Sequence, residues 1–145
     1  MYGAFQNCTS LKTLSFPSLV TIGANTSSSE YSQFGNAFYN CTNLTSLSFP
    51  SLEEIYCTAS ASSSYGTFSS NNYVQKMYFP KLHTITYGTG TASGNQGACN
   101  YIFSNCSSLT ELHFGAQYQS QIEATTGYST AWGRGAGNVT IYFDL

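Results

Sequence analysis

Two eighteen-residue stretches of the chain share one frame, and that frame limits the fold more than any other feature. The stretch Phe5-Gln-Asn-Cys8-Thr-Ser-Leu11-Lys-Thr-Leu14-Ser-Phe16-Pro17-Ser-Leu19-Val-Thr-Ile22 recurs as Phe38-Tyr-Asn-Cys41-Thr-Asn-Leu44-Thr-Ser-Leu47-Ser-Phe49-Pro50-Ser-Leu52-Glu-Glu-Ile55. Written generally, it is F-x-N-C-x-x-L-x-x-L-x-F-P-x-L-x-x-I. A third copy keeps Phe68, Val74, Met77, Phe79, Pro80, Leu82 and Ile85, with Asn71 in the Cys place. A fourth keeps Phe103, Asn105, Cys106, Leu109, Leu112 and Phe114; Gly115 replaces Pro there, the trailing apolar columns dissolve, and Ile122 comes two places late. A fifth is reduced to Trp132, Ile141 and Phe143. The frame takes in nine of the ten Phe and all three Pro, so it is not a product of chance.

The equivalent residues Leu14, Leu47, Met77, Leu112 and Ile141 are 33, 30, 35 and 29 residues apart. A fixed frame joined by connectors of varying length is the mark of a solenoid, in which no rung buries its apolar face alone and stacking builds continuous columns. Three columns are expected: Phe5/Phe38/Phe68/Phe103/Trp132, Leu14/Leu47/Met77/Leu112/Ile141, and Phe16/Phe49/Phe79/Phe114/Phe143. The L-x-F step has period two, which predicts a short strand with both side chains inward and parallel pairing between rungs. Pro after the strand ends it. The expected architecture is one domain over residues 1–145, with rungs at 5–22, 38–55, 68–85 and 103–122 and a capping rung at 132–143. It has a parallel sheet on one face, short turns and little helix.

The residues Ala37-Phe38-x-Asn40-Cys41-x-x-Leu44-x-x-Leu47-x-Phe49-Pro50, with the matching copy from Ala4, resemble leucine-rich repeats of the BspA-like type. The resemblance covers almost the whole chain. It implies the leucine-rich-repeat solenoid of the α/β horseshoe class, here mostly strand. It also implies a surface-exposed binding protein of bacterial or phage origin, and it carries no catalytic residue to transfer. The connectors 23–37, 56–67, 86–102 and 123–131 are longer than is typical of that family.

Charged residues make up only 7% of the chain and the net charge is -2, so there is no basic footprint for nucleic acid. No apolar run is long enough to span a membrane, and the first residues lack the charged and apolar regions of a signal peptide. An extracellular or cell-surface setting, or a phage virion, therefore requires a signal from outside this chain. The first rung begins with four residues before its Phe, which suggests a fragment of a longer array that self-associates through residues 5–22.

Among the cysteines, Cys8, Cys41 and Cys106 share one column with Asn71. They come one per rung and without His, unlike the paired ligands of a metal clip, so the expectation is a small thiol packed at each turn. Cys57 and Cys99 lie in neighbouring connectors. Two readings stand for them: a disulfide tying two long loops together, as suits an extracellular protein, or two free thiols. Six Asn-x-Ser/Thr triplets occur, three of them simply the frame's own Asn-Cys-Thr/Ser. Gly133-Arg-Gly-Ala-Gly137 lacks the Lys-Ser/Thr of a phosphate-binding loop and is read as a turn of the closing rung.

Function is sought in what the frame leaves free. Outward strand positions carry only hydroxyls at first (Thr13, Ser15, Ser46, Ser48), then large polar groups: Lys76, Tyr78, Glu111, His113 and Tyr142. These form a candidate ligand patch, set against an ordinary solvated sheet with cross-strand pairs such as Lys76 with Glu111. The connectors are rich in Tyr, Ser, Gly and Asn, the mix used by antibody paratopes; Tyr31, Tyr65 and Tyr87 are candidate contacts there. The opposing reading is that Tyr31, Phe34, Tyr65, Tyr87 and Tyr101 fold back over the core. No catalytic constellation, metal site or cofactor motif is evident. The expectation is non-catalytic recognition of a protein or carbohydrate, and the alternative is a structural spacer or assembly repeat.

Overall fold

The computed structural model describes residues 3–23, 34–57, 66–87, 101–125, 128–133 and 139–145. The strands are β1 (Thr13–Ser15), β2 (Thr21–Ile22), β3 (Ser46–Ser48), β4 (Glu54–Cys57), β5 (Lys76–Phe79), β6 (Thr84–Tyr87), β7 (Glu111–Phe114) and β8 (Thr140–Phe143); one short helix, α1, spans Gln119–Glu123. Five strands form a parallel sheet in the order β1-β3-β5-β7-β8. Its register places Leu14 on Leu47, Leu47 on Met77, Met77 on Leu112 and Leu112 on Ile141, the column read from the spacing. The L-x-F strand is set by sterics and burial together: alternate residues face one side, and only that side finds apolar neighbours above and below.

A second parallel sheet, β2-β4-β6, carries the trailing Ile column, with Ile22 on Ile55 and Ile55 on Ile85. The sequence reading has strand on one face only; the second sheet forms because the frame's L-x-x-I ending also stacks in register. Pro causes the bend between the two sheets. Each Pro sits inside a turn closed by the next Leu N–H donating to the preceding Phe carbonyl, at 3.3 Å for Leu19, 3.2 Å for Leu52 and 3.4 Å for Leu82. In the fourth rung the second sheet stops. Residues Ala116–Tyr118 form a turn of 3-10 helix, and α1 follows with Ile122 fully buried against the β6 side. Gly115 takes the Pro place because a Cβ there would lie 2.2 Å from the Pro80 carbonyl oxygen.

Between the sheets lies a column of rings. Phe16, Phe49, Phe79, Phe114 and Phe143 follow one another at centroid distances of 5.2, 5.2, 5.5 and 5.9 Å. The other ring column differs from the expected one. Phe5 stacks on Phe38 at 5.4 Å, but Phe68 is met by Phe34, at 5.5 Å. Phe34 is the one Phe outside the frame, and it is buried.

The backbone explains this. Phe5 N–H donates to Ala37 O and Phe68 N–H to Ile102 O, each to the residue before the next rung's Phe. Between the second and third rungs the donors are instead Phe34, to Thr67 O, and Asn36, to Ser69 O. Phe34-Gly-Asn36-Ala37 is thus a tandem copy of Phe38-Tyr-Asn40-Cys41. Among the described residues the second rung holds one turn more than its neighbours, and it shows a different copy to each.

Asn71 closes the defect. Its Oδ1 accepts from Phe38 N–H at 3.0 Å, and its Nδ2 donates to Phe68 O at 2.7 Å and Phe34 O at 3.3 Å. In regular rungs the Cys contributes a single donation, from Cys41 Sγ to Phe5 O at 2.9 Å and from Cys106 Sγ to Phe68 O at 3.0 Å. The residue before the Cys place has positive φ in each of the first four rungs: 62° at Asn7, 58° at Asn40, 61° at Ser70 and 57° at Asn105. Asn tolerates that left-handed conformation better than other side-chain-bearing residues, which is why the frame holds Asn there. Asn40 adds a side-chain bond to Asn7, at 2.9 Å.

Trp132 closes the stack one place out of frame. Its carbonyl accepts from Phe103 N–H, the part played elsewhere by the residue before the Phe, while its ring packs on Phe103 and Phe114. The columns are fully covered from the second to the fourth rung, where Phe38, Leu44, Leu47, Met77, Phe79 and Leu112 are all completely buried; in the last rung Ile141 and Phe143 are only partly covered. In the first rung Phe5, Leu11, Leu14, Phe16 and Leu19 are only partly covered.

Candidate functional site

The outward face of the five-stranded sheet carries two rows set by the pairing. Thr13, Ser46, Lys76, Glu111 and Thr140 make one; Ser15, Ser48, Tyr78, His113 and Tyr142 make the other. Parallel in-register pairing brings equivalent residues of adjacent strands side by side, so each row is a line of neighbouring side chains.

In the second row His113 lies between two tyrosines. Its ring stacks on Tyr78 at 4.7 Å and 23°, and on Tyr142 at 4.7 Å and 13°. Its nitrogens are also taken. Nε2 lies 3.1 Å from Glu111 Oε2, and Nδ1 lies 3.0 and 3.1 Å from the two carboxylate oxygens of Asp144. Both bonds are made in full only when each nitrogen bears a hydrogen. The Glu111 oxygen also receives Lys76 Nζ at 3.0 Å, so Lys76, Glu111, His113 and Asp144 form one chain of polar contacts running from β5 across β7 to the residue after β8. The hydrogen bond from Lys76, reinforced by that from His113, holds the Glu111 carboxyl below its ordinary pKa; the same Glu111 bond raises that of Lys76. The His113 side chain is 12% exposed, whereas that of Asp144 is 49% exposed. Tyr142 is exposed at the sheet's end.

Lys76, Tyr78, Glu111, His113 and Tyr142 therefore adjoin, and Asp144 joins them. Asp144 is absent from the sequence-derived patch because the frame ends at Phe143. The signal was present in the period of two, which carries on from Thr140 through Tyr142 to Asp144. Of the connector candidates, Tyr31 and Tyr65 lie outside the described residues; Tyr87 ends β6, with its side chain outside them. Phe34, read as a connector residue, is core.

Cys41 and Cys106 are buried free thiols, and Cys8, with no described rung beyond it, is an exposed one. Cys57, at the end of β4, is buried and disulfide-bonded. Cys99 lies outside the described residues, as do Arg134, Gly135, Ala136 and Gly137. Among the described residues no group of three or more His, Cys, Asp or Glu is placed to hold a metal ion. In the patch itself the imidazole separates the two carboxylates instead of converging with them. No helix of the described residues is long and apolar enough to cross a membrane.

The stacked rungs, the two parallel sheets and the F-x-N-C turn find their counterpart in one known family. The family model for the BspA type leucine-rich repeat region matches six copies across residues 3–125. This chain belongs to that family. The matched span takes in the first four rungs and α1 and leaves out the closing rung of Trp132 and β8. No curated protein and no solved structure matches the chain. Membership makes the chain a repeat module of the binding type, built to present a surface.

Proposed function

We propose that the chain is a non-catalytic recognition module that binds a protein or a glycan through the outward face of β5, β7 and β8. The supporting observation is the Tyr78–His113–Tyr142 stack flanked by the Lys76–Glu111–His113–Asp144 chain. Two tyrosine rings stacked at 4.7 Å on an imidazole that is itself held by two carboxylates have little rotamer freedom left before a ligand arrives. Binding then costs little ordering entropy, which is the advantage tyrosine-rich paratopes exploit. The row offers ring edges, phenol hydroxyls and, at Asp144, an open carboxylate, a set suited to polar hydroxyl-bearing ligands. The Tyr/Ser/Gly connectors that hold Tyr31, Tyr65 and Tyr87 extend this reading. Both nitrogens of His113 already have partners, so it has none to spare as a general base; this supports recognition over catalysis. The expected setting is a bacterial cell surface or a phage fibre.

The spacer reading also has an observation in its favour, since the polar groups of the patch satisfy one another. A glycan and surface-protein array separates the two. Recognition predicts a ligand whose signal falls at least tenfold in each of Tyr78→Ala, His113→Ala and Tyr142→Ala, with the melting transition still cooperative. A ligand retained by all three variants removes this face from consideration, and an array without any binder leaves the spacer.

A further inference from the structure

We infer that the outward row on β5, β7 and β8 is a pH-sensitive latch: with a proton on each ring nitrogen His113 holds Glu111 and Asp144 together, and with one proton fewer it lets Asp144 go and frees Tyr142. As control of a binding face this rests on the recognition reading above, whereas the latch itself belongs to the free chain. An ionised carboxylate only accepts hydrogen bonds, and a neutral imidazole has one N–H and one lone pair. Both His113 nitrogens face carboxylate oxygens, Nε2 at 3.1 Å from Glu111 Oε2 and Nδ1 at 3.0 and 3.1 Å from the two oxygens of Asp144. Removing one proton therefore sets a lone pair against a carboxylate at hydrogen-bond distance, and one of the two carboxylates must move.

The neighbours decide which. Glu111 Oε2 is also held by Lys76 Nζ at 3.0 Å, so its departure would break that pair as well. Asp144 has no other hydrogen bond or ion pair among the described residues, and its side chain is 49% exposed, so turning to water leaves nothing else unpaired. The ring has no such escape: its side chain is 12% exposed and lies between Tyr78 and Tyr142, with centroids at 4.7 Å on both sides. The neutral ring thus keeps its hydrogen on Nε2, toward Glu111. The charged and titratable groups facing His113 are Lys76 and Tyr78 on β5, Glu111 on its own strand, Tyr142 on β8 and Asp144 beyond it. Of these residue types only imidazole ordinarily changes charge between about pH 5 and 8. In that range the latch is driven from one ring. Acidification orders the row before a ligand arrives, which lowers the entropy that binding must overcome.

NMR of the full chain, taken from about pH 8 to about pH 5, tests this. The His113 ring nitrogens report which hydrogen the neutral ring keeps, and the flip rate of the Tyr142 ring reports the latch. No ligand enters either reading, so a failed latch and a failed recognition face are told apart. The expected result is a neutral ring with its hydrogen on Nε2, and Tyr142 flipping several-fold faster on the alkaline side with its midpoint at the titration of His113 itself. In His113→Gln, whose amide never gains a charge, Tyr142 should flip at one rate throughout. A neutral ring that keeps its hydrogen on Nδ1, Tyr142 flipping alike across the range, a midpoint away from that of His113, or a pH response that survives His113→Gln would each overturn the inference.

Discussion

Replacing Asn71 by Cys restores the residue that the frame carries in the first, second and fourth rungs, and it should weaken the protein. Consensus substitutions in repeat proteins commonly stabilise, so the expected sign runs against habit. Asn71 makes three bonds, and their losses are unequal. Phe68 O keeps the Cys106 thiol, at 3.0 Å, and Phe34 O keeps Ala37 N–H, also at 3.0 Å. Phe38 N–H has the Asn71 Oδ1 at 3.0 Å as its acceptor, in a site where both residues are fully buried. A thiol can replace one donation to a carbonyl but sits poorly as an acceptor for that amide. The dominant cost is one buried, unsatisfied N–H, about 1–3 kcal/mol. At about 2–4 °C per kcal/mol for a chain near this size, the melting temperature should fall by several degrees. Asn71→Ala should cost more, since two further net hydrogen bonds of about 0.5–1.5 kcal/mol each are lost with it. The assay is chemical denaturation of the three proteins, with amide exchange at Phe38. Asn71→Cys as stable as the parent, with the Phe38 amide still protected, would refute the assignment of Asn71 as the group that accommodates the extra turn.

Phe34→Ala should destabilise by about 3–5 kcal/mol, the range for a buried ring, although its position in a connector suggests tolerance; equilibrium unfolding measures it. Gly115→Ala, at an ordinary φ of -64° but 2.2 Å from the Pro80 oxygen, should cost about 1–3 kcal/mol by steric displacement alone, and a neutral result would disprove that contact. The folded-state pKa of Glu111 lies below its unfolded value. The stability it contributes is therefore complete above the unfolded carboxylate range near 4.3 and is lost as pH falls through the lower folded value. Glu111→Gln should flatten that acid limb in melting curves, and an unchanged limb would count against the pair with Lys76. Non-reducing peptide mapping should recover Cys57 linked to Cys99, with Cys8, Cys41 and Cys106 alkylated as free thiols.

The regular part of this fold is legible because burial and periodicity act together at each frame position. A rung needs Leu and Phe two apart to present both inward, and parallel stacking then reproduces the spacing as register. The columns through Leu14 and Phe16 stand where counting puts them. Departures arise where a local sequence answers to two neighbours at once. Phe34-Gly-Asn36-Ala37 resembles its successor closely enough to be seen, yet the expectation of one turn per rung hides it. Asn71 looks like wear in the frame when each repeat is compared only with the others. It is explained by an amide 33 residues earlier, in the preceding rung. The α1 substitution for a fourth strand in the second sheet reflects the loss of L-x-x-I after Gly115, which sequence registers only as a fading column.

The outward face is a harder problem for sequence, and the reason is physical. Inward positions are chosen by exclusion of water, so a wrong residue costs several kcal/mol and the pattern stays sharp. Outward positions are chosen only by their neighbours on adjacent strands, at a few tenths to one kcal/mol each, so no periodic constraint identifies them. The column is legible, and with it the adjacency of Lys76 with Glu111 and of Tyr78, His113 and Tyr142. The direction of each side chain within its row is not. His113 turns one nitrogen back along its own strand to Glu111 and the other across to Asp144 on the chain beyond β8, a choice made by hydrogen bonding and not by spacing. This choice ties the central ring of the row to two carboxylates, which restricts how it can turn. That restraint has a measurable consequence. Asp144→Asn keeps an acceptor near Nδ1 but removes its charge, so it should loosen the ring sandwich while leaving the core columns untouched. Faster flipping of the Tyr142 ring in NMR spectra, with unchanged unfolding of the remainder, is the expected outcome; a ring as slow as in the parent would show that stacking alone holds the row.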